Sequence, residues 1–240
     1  MRTYLKVNGS HAAEVKGIVV AELPLTVYVN GQRFVTLLCS PFQIDALVVG
    51  YLWTERVITR VEEIRGLDVS EVDGRADVEL VRPIAQGHAN SIMPEPLCSS
   101  LRVPPGVLSA RMTELAQAAV HYQQSRGIHA AALCDSERLL IVAEDVARRN
   151  ALDKVKGRAL LDGVSTADRI LVSSGRISSE MLLRAARMGV ALVASRTSPT
   201  DMAIALAERL NVTVCGYVRH DRLNLYTGAA VLSETTAARA

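Results

Sequence analysis

Over the first eighty residues, apolar positions come in short alternating runs. Residues 25–29 and 33–38 are strand-like and flank Asn30-Gly31, residue types that suit the positive-φ positions of a tight hairpin turn. Ser40-Pro41 then opens a helix across 42–56, with Leu47, Val48, Tyr51 and Leu52 recurring at helical spacing. A second hairpin is expected around Asp73-Gly74, with Val78 and Leu80 alternating after the turn. The stretch 85–107 has no period and holds Pro94, Pro96, Pro104, Pro105, Gly87 and Gly106. Loops of this length usually carry function or lack fixed structure.

From residue 109 the period lengthens. A helix is predicted over Ser109–Arg126, with Met112, Leu115, Ala119 and Tyr122 on one face. IHAAALCD and LLIVAED read as strands joined by a turn near Ser136-Glu137. A helix over 150–162 ends at Gly163. ILVSS, a helix from Ser178 to Met188, VALVAS, a helix from Thr200 to Leu210, VTVCGYV and a short strand at 222–227 follow. Strands separated by helices of this length need crossover connections, which implies a largely parallel sheet. The chain therefore divides into a β-rich α+β part over 1–108 and an α/β part over 109–240.

Composition narrows the class without naming an activity. Hydrophobic residues make up 49% of the 240, enough for a sizeable core, and the net charge of +2 gives no global argument for nucleic acid. The opening MRTYLKVNGSHAAEVKG has no apolar segment of a signal peptide. No apolar run reaches the ~18 residues of a membrane span, so no membrane partner is expected. Cys39, Cys98, Cys134 and Cys215 form neither a Cys-x-x-Cys pair nor a disulfide framework, which fits a reducing compartment. All but Cys98 lie in apolar, strand-like runs. His129 is followed by Ala130 and Ala131, so the His-x-Glu of a zinc deaminase is missing along with its cysteine pair, and no zinc is expected.

Two strand-to-helix junctions carry the chemistry. Ser173-Ser174-Gly175-Arg176-Ile177-Ser178 and Ser195-Arg196-Thr197-Ser198-Pro199-Thr200 each follow an apolar strand and supply hydroxyls, one Arg and an N-cap residue, Ser178 or Thr200. In a parallel sheet both lie at carboxyl ends of strands, where ligands bind. Helix N-termini and arginines both suit phosphate. The plainer reading is that these Ser and Thr side chains only cap helices, and that the arginines make surface pairs with Asp145, Asp201, Glu180 and Asp221. In Glu144–Lys154, Asp145, Asn150 and Lys154 are candidates to project toward the same cleft. A solvated first helical turn is the simpler alternative there. His129, opening an apolar strand, is a further candidate whose simpler role is a hydrogen-bonded core residue. Cys98, on the Pro-rich loop, is the candidate nucleophile.

EDVARRNALDK, SSGRISSEM, SRTSPTDMAI and VCGYVRHDRLNLYT, in this order, resemble motifs of the FdhD family of formate dehydrogenase accessory proteins. ELPLTVYVNGQ, TLLCSP, VGYLWTE and GIHAAAL resemble its earlier blocks. The resemblance covers nearly the whole chain except 85–108. It implies a cytidine-deaminase-like layered α/β fold, a cytoplasmic homodimer, and sulfur transfer from a cysteine desulfurase to the molybdenum bis(molybdopterin guanine dinucleotide) cofactor before its insertion into formate dehydrogenase. Tyr217, Val218, Arg219, His220, Asp221 and Arg222 correspond to the family's cofactor-binding stretch, and GDP is the expected partial ligand. The family's Cys-x-x-Cys is here Cys98-Ser99-Ser100-Leu101, with one thiol. Its EDVGRH reads Glu144-Asp145-Val146-Ala147-Arg148-Arg149. A cofactor-binding chaperone that moves no sulfur is the alternative.

Overall fold

Asn30 and Gly31 both take positive φ, 49° and 79°, and close the hairpin of β3 (Leu23–Val29) and β4 (Gln32–Cys39), as their residue types predict. The computed structural model describes residues 1–83, 93–228 and 231–232. Ahead of β3 stands a hairpin with no counterpart in the apolar pattern, β1 (Arg2–Asn8) and β2 (His11–Gly17). It is almost wholly exposed and forms a two-stranded sheet of its own. With β5 (Ile64–Ser70) and β6 (Arg75–Leu80), β3 and β4 build a four-stranded sheet in the order β4-β3-β6-β5. The Asp73-Gly74 turn falls where it was expected, with Gly74 at φ 59°. Alternate residues Leu25, Val27 and Val29 are buried under α1 (Ile44–Thr54), the period-two pattern of a sheet with one covered face.

The remaining strands form a six-stranded sheet, β12-β11-β10-β9-β7-β8. Its members are β7 (His129–Cys134), β8 (Leu139–Asp145), β9 (Ile170–Ser173), β10 (Leu192–Ser195), β11 (Thr213–Arg219) and β12 (Arg222–Thr227). The expected α/β class holds, but only β9, β10 and β11 pair in parallel. Hairpin partners at both sides, β7 with β8 and β11 with β12, make the sheet mixed. Helices α4 (Arg148–Leu161), α5 (Ser179–Arg187) and α6 (Asp201–Leu210) cover one face, and α2 (Pro105–Ala118) covers the other. The four residues of β9 and the four of β10 are all buried, because both faces of these strands are covered.

The helix expected over 109–126 begins earlier and is broken. Pro105 sits in the first turn of α2, where its missing N–H costs nothing. At Ala119 (φ −80°, ψ 79°) the chain leaves helical geometry before α3 (Val120–Ser125). Glu144 compensates: its carboxylate accepts the backbone N–H groups of His121 and Tyr122 at 3.1 and 2.6 Å. Of the Pro-rich stretch 85–107, residues 93–104 run without regular structure until α2 begins; the remainder lies largely outside the described residues.

The four- and six-stranded sheets are joined through α1 and α4. Gly50 and Gly157 meet at the crossing. A Cβ on Gly50 would overlap the carbonyl oxygen of Asp153, and one on Gly157 that of Ala46. Only glycine lets these backbones touch.

Candidate functional site: an arginine-lined sheet edge

Strand direction decides which residues share an edge. Because β9, β10 and β11 are parallel, their carboxyl ends lie side by side, with Ser173 opposite Ser195. The antiparallel neighbours add the end of β8 and the starts of β7 and β12, bringing Asp145, His129 and Arg222 to the same side. The two Ser/Thr-rich junctions and the 217–222 segment therefore do converge.

Most of the junction hydroxyls are already committed. Ser174 Oγ accepts from the Ala130 N–H (2.9 Å), and Ser195 Oγ donates to the Gly175 carbonyl (2.7 Å). Ser178 and Thr200 cap α5 and α6, accepting from Met181 N–H and Ala203 N–H. These contacts lock the junctions and leave the arginines as the exposed chemistry. Arg176, Arg196, Arg219 and Arg222 are all exposed. Among the described residues none of them, nor Arg148, makes an ion pair or side-chain hydrogen bond. The surface pairs that would have neutralised them do not form: Glu180 is held by Arg149 and Asp145 by Lys154. Arg219 and Arg222 are direct cross-strand partners, an arrangement of like charges that is unfavourable on its own.

Tyr217 lies at this edge with φ 53°, uncommon for a bulky residue, where a bulge interrupts the β11–β12 register. Its N–H donates to the Thr197 carbonyl at 3.1 Å and its side chain is 44% exposed. Val218, the next residue, is buried beneath α2. His220 and Asp221 form the exposed turn into β12. A pocket of about 180 Å³ opens beside them, between α2 and the ends of β10 and β11.

Asn150 and Lys154 turn inward rather than toward this edge. Lys154 and Asp145 form a fully buried ion pair at 2.7 Å. Asp145 also accepts the N–H groups of Ser40 and Ala147 and the amide of Asn150. Asn150 in turn donates to the Leu38 carbonyl, and Lys154 Nζ to the Glu144 carbonyl. The network ties the Ser40 turn of the first sheet to the start of α4. Burial holds the Lys154 ammonium below the usual lysine range, against the pull of Asp145. Desolvation leads again at His129, followed by nearby Arg148, and both hold its ring below the ordinary histidine value, with Asp145 opposing. His129 Nδ1 and the Arg148 side chain flank the Cβ-less face of Gly175, so these residues pack together. Arg148, with its Nε buried and unpartnered, is an edge residue that the motif pattern did not single out.

Cys98 is exposed, whereas Cys39, Cys134 and Cys215 are buried. Desolvation pushes the three buried thiols up to about 11, 12 and 12. The segment before Cys98 is fastened at the far end of the sheet. Leu97 N–H donates to the Leu210 carbonyl and Asn211 donates to the Leu97 carbonyl, immediately before β11 starts. The seven residues of β11 thus separate Cys98 from the arginine edge, roughly 20 Å at strand rise. Among the described residues, no three His, Cys, Asp or Glu side chains gather as metal ligands, and no helix is long and apolar enough to cross a membrane.

Comparison with known proteins agrees with this architecture from end to end. A formate dehydrogenase accessory protein of Desulfotalea psychrophila has a solved structure that superposes with a TM-score of 0.85 at 27% identity, covering 97% of this chain and 98% of that one. The sulfur carrier protein FdhD of Bacillus subtilis is 39% identical over 236 residues, 90% of each chain. That of Listeria monocytogenes is 36% identical over 238 residues, 90% of this chain and 91% of its own. The FdhD/NarQ family model matches residues 20–233, a span that contains the four- and six-stranded sheets and the whole arginine edge; the chain belongs to the FdhD/NarQ family.

Proposed function

We propose that this chain is a cytoplasmic, homodimeric sulfur carrier. It accepts sulfur from a cysteine desulfurase on Cys98 and binds the molybdenum bis(molybdopterin guanine dinucleotide) cofactor as its cargo, for delivery to formate dehydrogenase. The observation that carries the reading is the set of exposed arginines on one sheet edge with no carboxylate partner among the described residues. Cations gathered without counter-charge repel one another, and a diphosphate relieves that repulsion. Tyr217, exposed beside them, offers a face for a base or pterin.

Cys98 supplies the sulfur chemistry in this reading. Its thiolate attacks the outer sulfur of the donor's persulfide, forming a persulfide on Cys98 and releasing the donor's thiolate. The three buried thiols are poor candidates, because the attacking species is the thiolate. One thiol is enough to hold a persulfide, so the loss of the second cysteine does not block the step.

A second reading, a chaperone that binds the cofactor and moves no sulfur, draws support from the distance between Cys98 and the arginines. Two measurements separate the readings. Incubation with a desulfurase and cysteine, followed by mass spectrometry of the intact chain, should add one sulfur to wild type and none to Cys98→Ser. No addition to wild type leaves the chaperone. Calorimetric titration of GDP into wild type and Arg196→Ala should show a loss of about 1.5–3 kcal/mol, the worth of a charge-assisted hydrogen bond, with Tm unchanged. Equal affinities would remove Arg196 from the site, and no binding to wild type would sink the cargo reading.

A further inference from the structure

The β1–β2 hairpin stands apart from the rest of the chain. None of its residues is buried, and each strand pairs only with the other. Leu5 and Val7 on one face are 67% and 64% exposed, and Tyr4 on the other is 47% exposed. A two-stranded hairpin with no covered face is marginal in water, so this one lacks the surface that would hold it. It also precedes residue 20, where the family match begins. Its first strand is basic. Arg2 and Lys6 are the charged residues of β1, and neither makes an ion pair among the described residues.

Strand β5 has the opposite character. It ends the four-stranded sheet and pairs with β6 along one side only, which leaves the other side open to a further strand. Asp68 on β5 is exposed and faces Asp77 across the strands. Asp77 is held by Arg75, whereas Asp68 has no ion pair or hydrogen bond among the described residues. Glu62 and Glu71, just beyond either end of the strand, are also exposed and without a cation there. The remaining sheet edges do not suit a basic strand. β12 carries Arg222 beside Arg219, and β4 carries Arg33 as its one charge. The two acids of β8, Glu144 and Asp145, are buried.

We infer that the hairpin is an exchange arm: β1 of one copy adds to the open side of β5 in a second copy, which returns its own arm. The inference deepens the homodimeric part of the reading above. Backbone hydrogen bonds of the added strand give affinity, and Arg2 and Lys6 set against Asp68, Glu62 and Glu71 select the edge. The root of the arm lies where exchange needs it. The arm enters β3 at Leu23, and the Thr26 N–H donates to the Gly74 carbonyl at 2.8 Å, beside the turn that follows β5. A two-fold axis near this turn brings each arm to the other copy's β5. Two arm strands of seven residues and the seven of β5 give each copy on the order of 20 interface residues, the size of a standard interface.

Two full-length, charge-reversed chains test the exchange by sedimentation equilibrium: Arg2→Glu with Lys6→Glu, and Asp68→Lys with Glu71→Lys. All four positions are exposed, so the fold should be kept. Each chain alone should dimerise at least about tenfold more weakly than wild type. An equimolar mixture should recover a dimer within about threefold of wild type, because each reversed arm then meets a reversed edge and each native arm a native edge. Wild-type dimers in both reversed chains would overturn the arm while leaving the homodimer standing. Weakening of one chain only, or of both without recovery in the mixture, would overturn the pairing of β1 with β5. A wild type that stays monomeric at every concentration would overturn the arm and the homodimer together, leaving sulfur transfer and cofactor binding to their own tests.

Discussion

Arg219 faces Arg222 directly across the β11–β12 pair, with only His220 and Asp221 between them in sequence. Oppositely charged cross-strand partners stabilise a sheet and like charges weaken it, by about 0.2–1 kcal/mol in either direction. Arg222→Glu should therefore raise Tm slightly while lowering affinity for GDP at least about tenfold, since it removes one cation and ties up another. A variant that gains stability and keeps its affinity would show that the pair has no part in binding.

Gly157 should prove intolerant of any side chain. Its α-carbon lies against the Ala46 carbonyl, and the opposing Gly50 leaves no room to shift. Overpacking usually costs about 1–3 kcal/mol. Gly157→Ala should sit at or above the upper end because the obstacle is backbone. Urea denaturation reads this directly, and a change below about 0.5 kcal/mol would contradict the close crossing of α1 and α4.

Thiol reactivity should split one against three. In native protein at neutral pH, one thiol per chain should react quickly with a maleimide or disulfide reagent, and Cys98→Ser should abolish that reaction. The remaining three should appear only on unfolding. Cys134→Ser and Cys39→Ser should instead lower stability, since each sulfur is packed in the core with only a backbone carbonyl, of Ile170 or Leu23, within reach. Two or more fast thiols in wild type would refute the assignment.

Lys156 should make stability depend on pH. Its ammonium sits over the Trp53 ring at 4.3 Å, and desolvation lowers it to about 8. Below that value the lysine is charged in both folded and unfolded chains, and the folded state carries the full cost of burying it. As pH rises from about 8 to the unfolded value of about 10.5 the cost disappears. Lys156→Met should thus stabilise by about 1–2 kcal/mol at pH 7, after the cation–π contact has offset part of the gain, and by nothing above pH 10.5. A gain that is flat across this range would mean the residue acts through packing alone.

Local signals were enough for most elements. Asn30-Gly31 and Asp73-Gly74 marked their hairpins because a positive-φ requirement is a property of the turn residues themselves. The helices over 179–187 and 201–210 were legible from apolar period and from Ser178 and Thr200, whose capping bonds form within the next three residues. The break at Ala119 was not legible. It depends on Glu144, more than twenty residues away, to satisfy the N–H groups that the break exposes.

The sequence by itself determined most of the order of strands and helices from β3 onward, the arginines at the junctions, and the family, since these follow from short-range pattern and ordered motifs. Tertiary structure alone decided which polar residues face solvent. Asp145, Asn150 and Lys154 have the same composition as a surface turn. They are buried because the Ser40 turn returns from a hundred residues away to complete their hydrogen bonds, and a buried charge is tolerable only when such partners arrive. It decided equally that Arg196 shares a pocket wall with α2 residues and that Cys98 sits at the other end of β11. Strand direction and sheet order place side chains at one edge or the other, and neither can be computed from the residues adjacent in sequence.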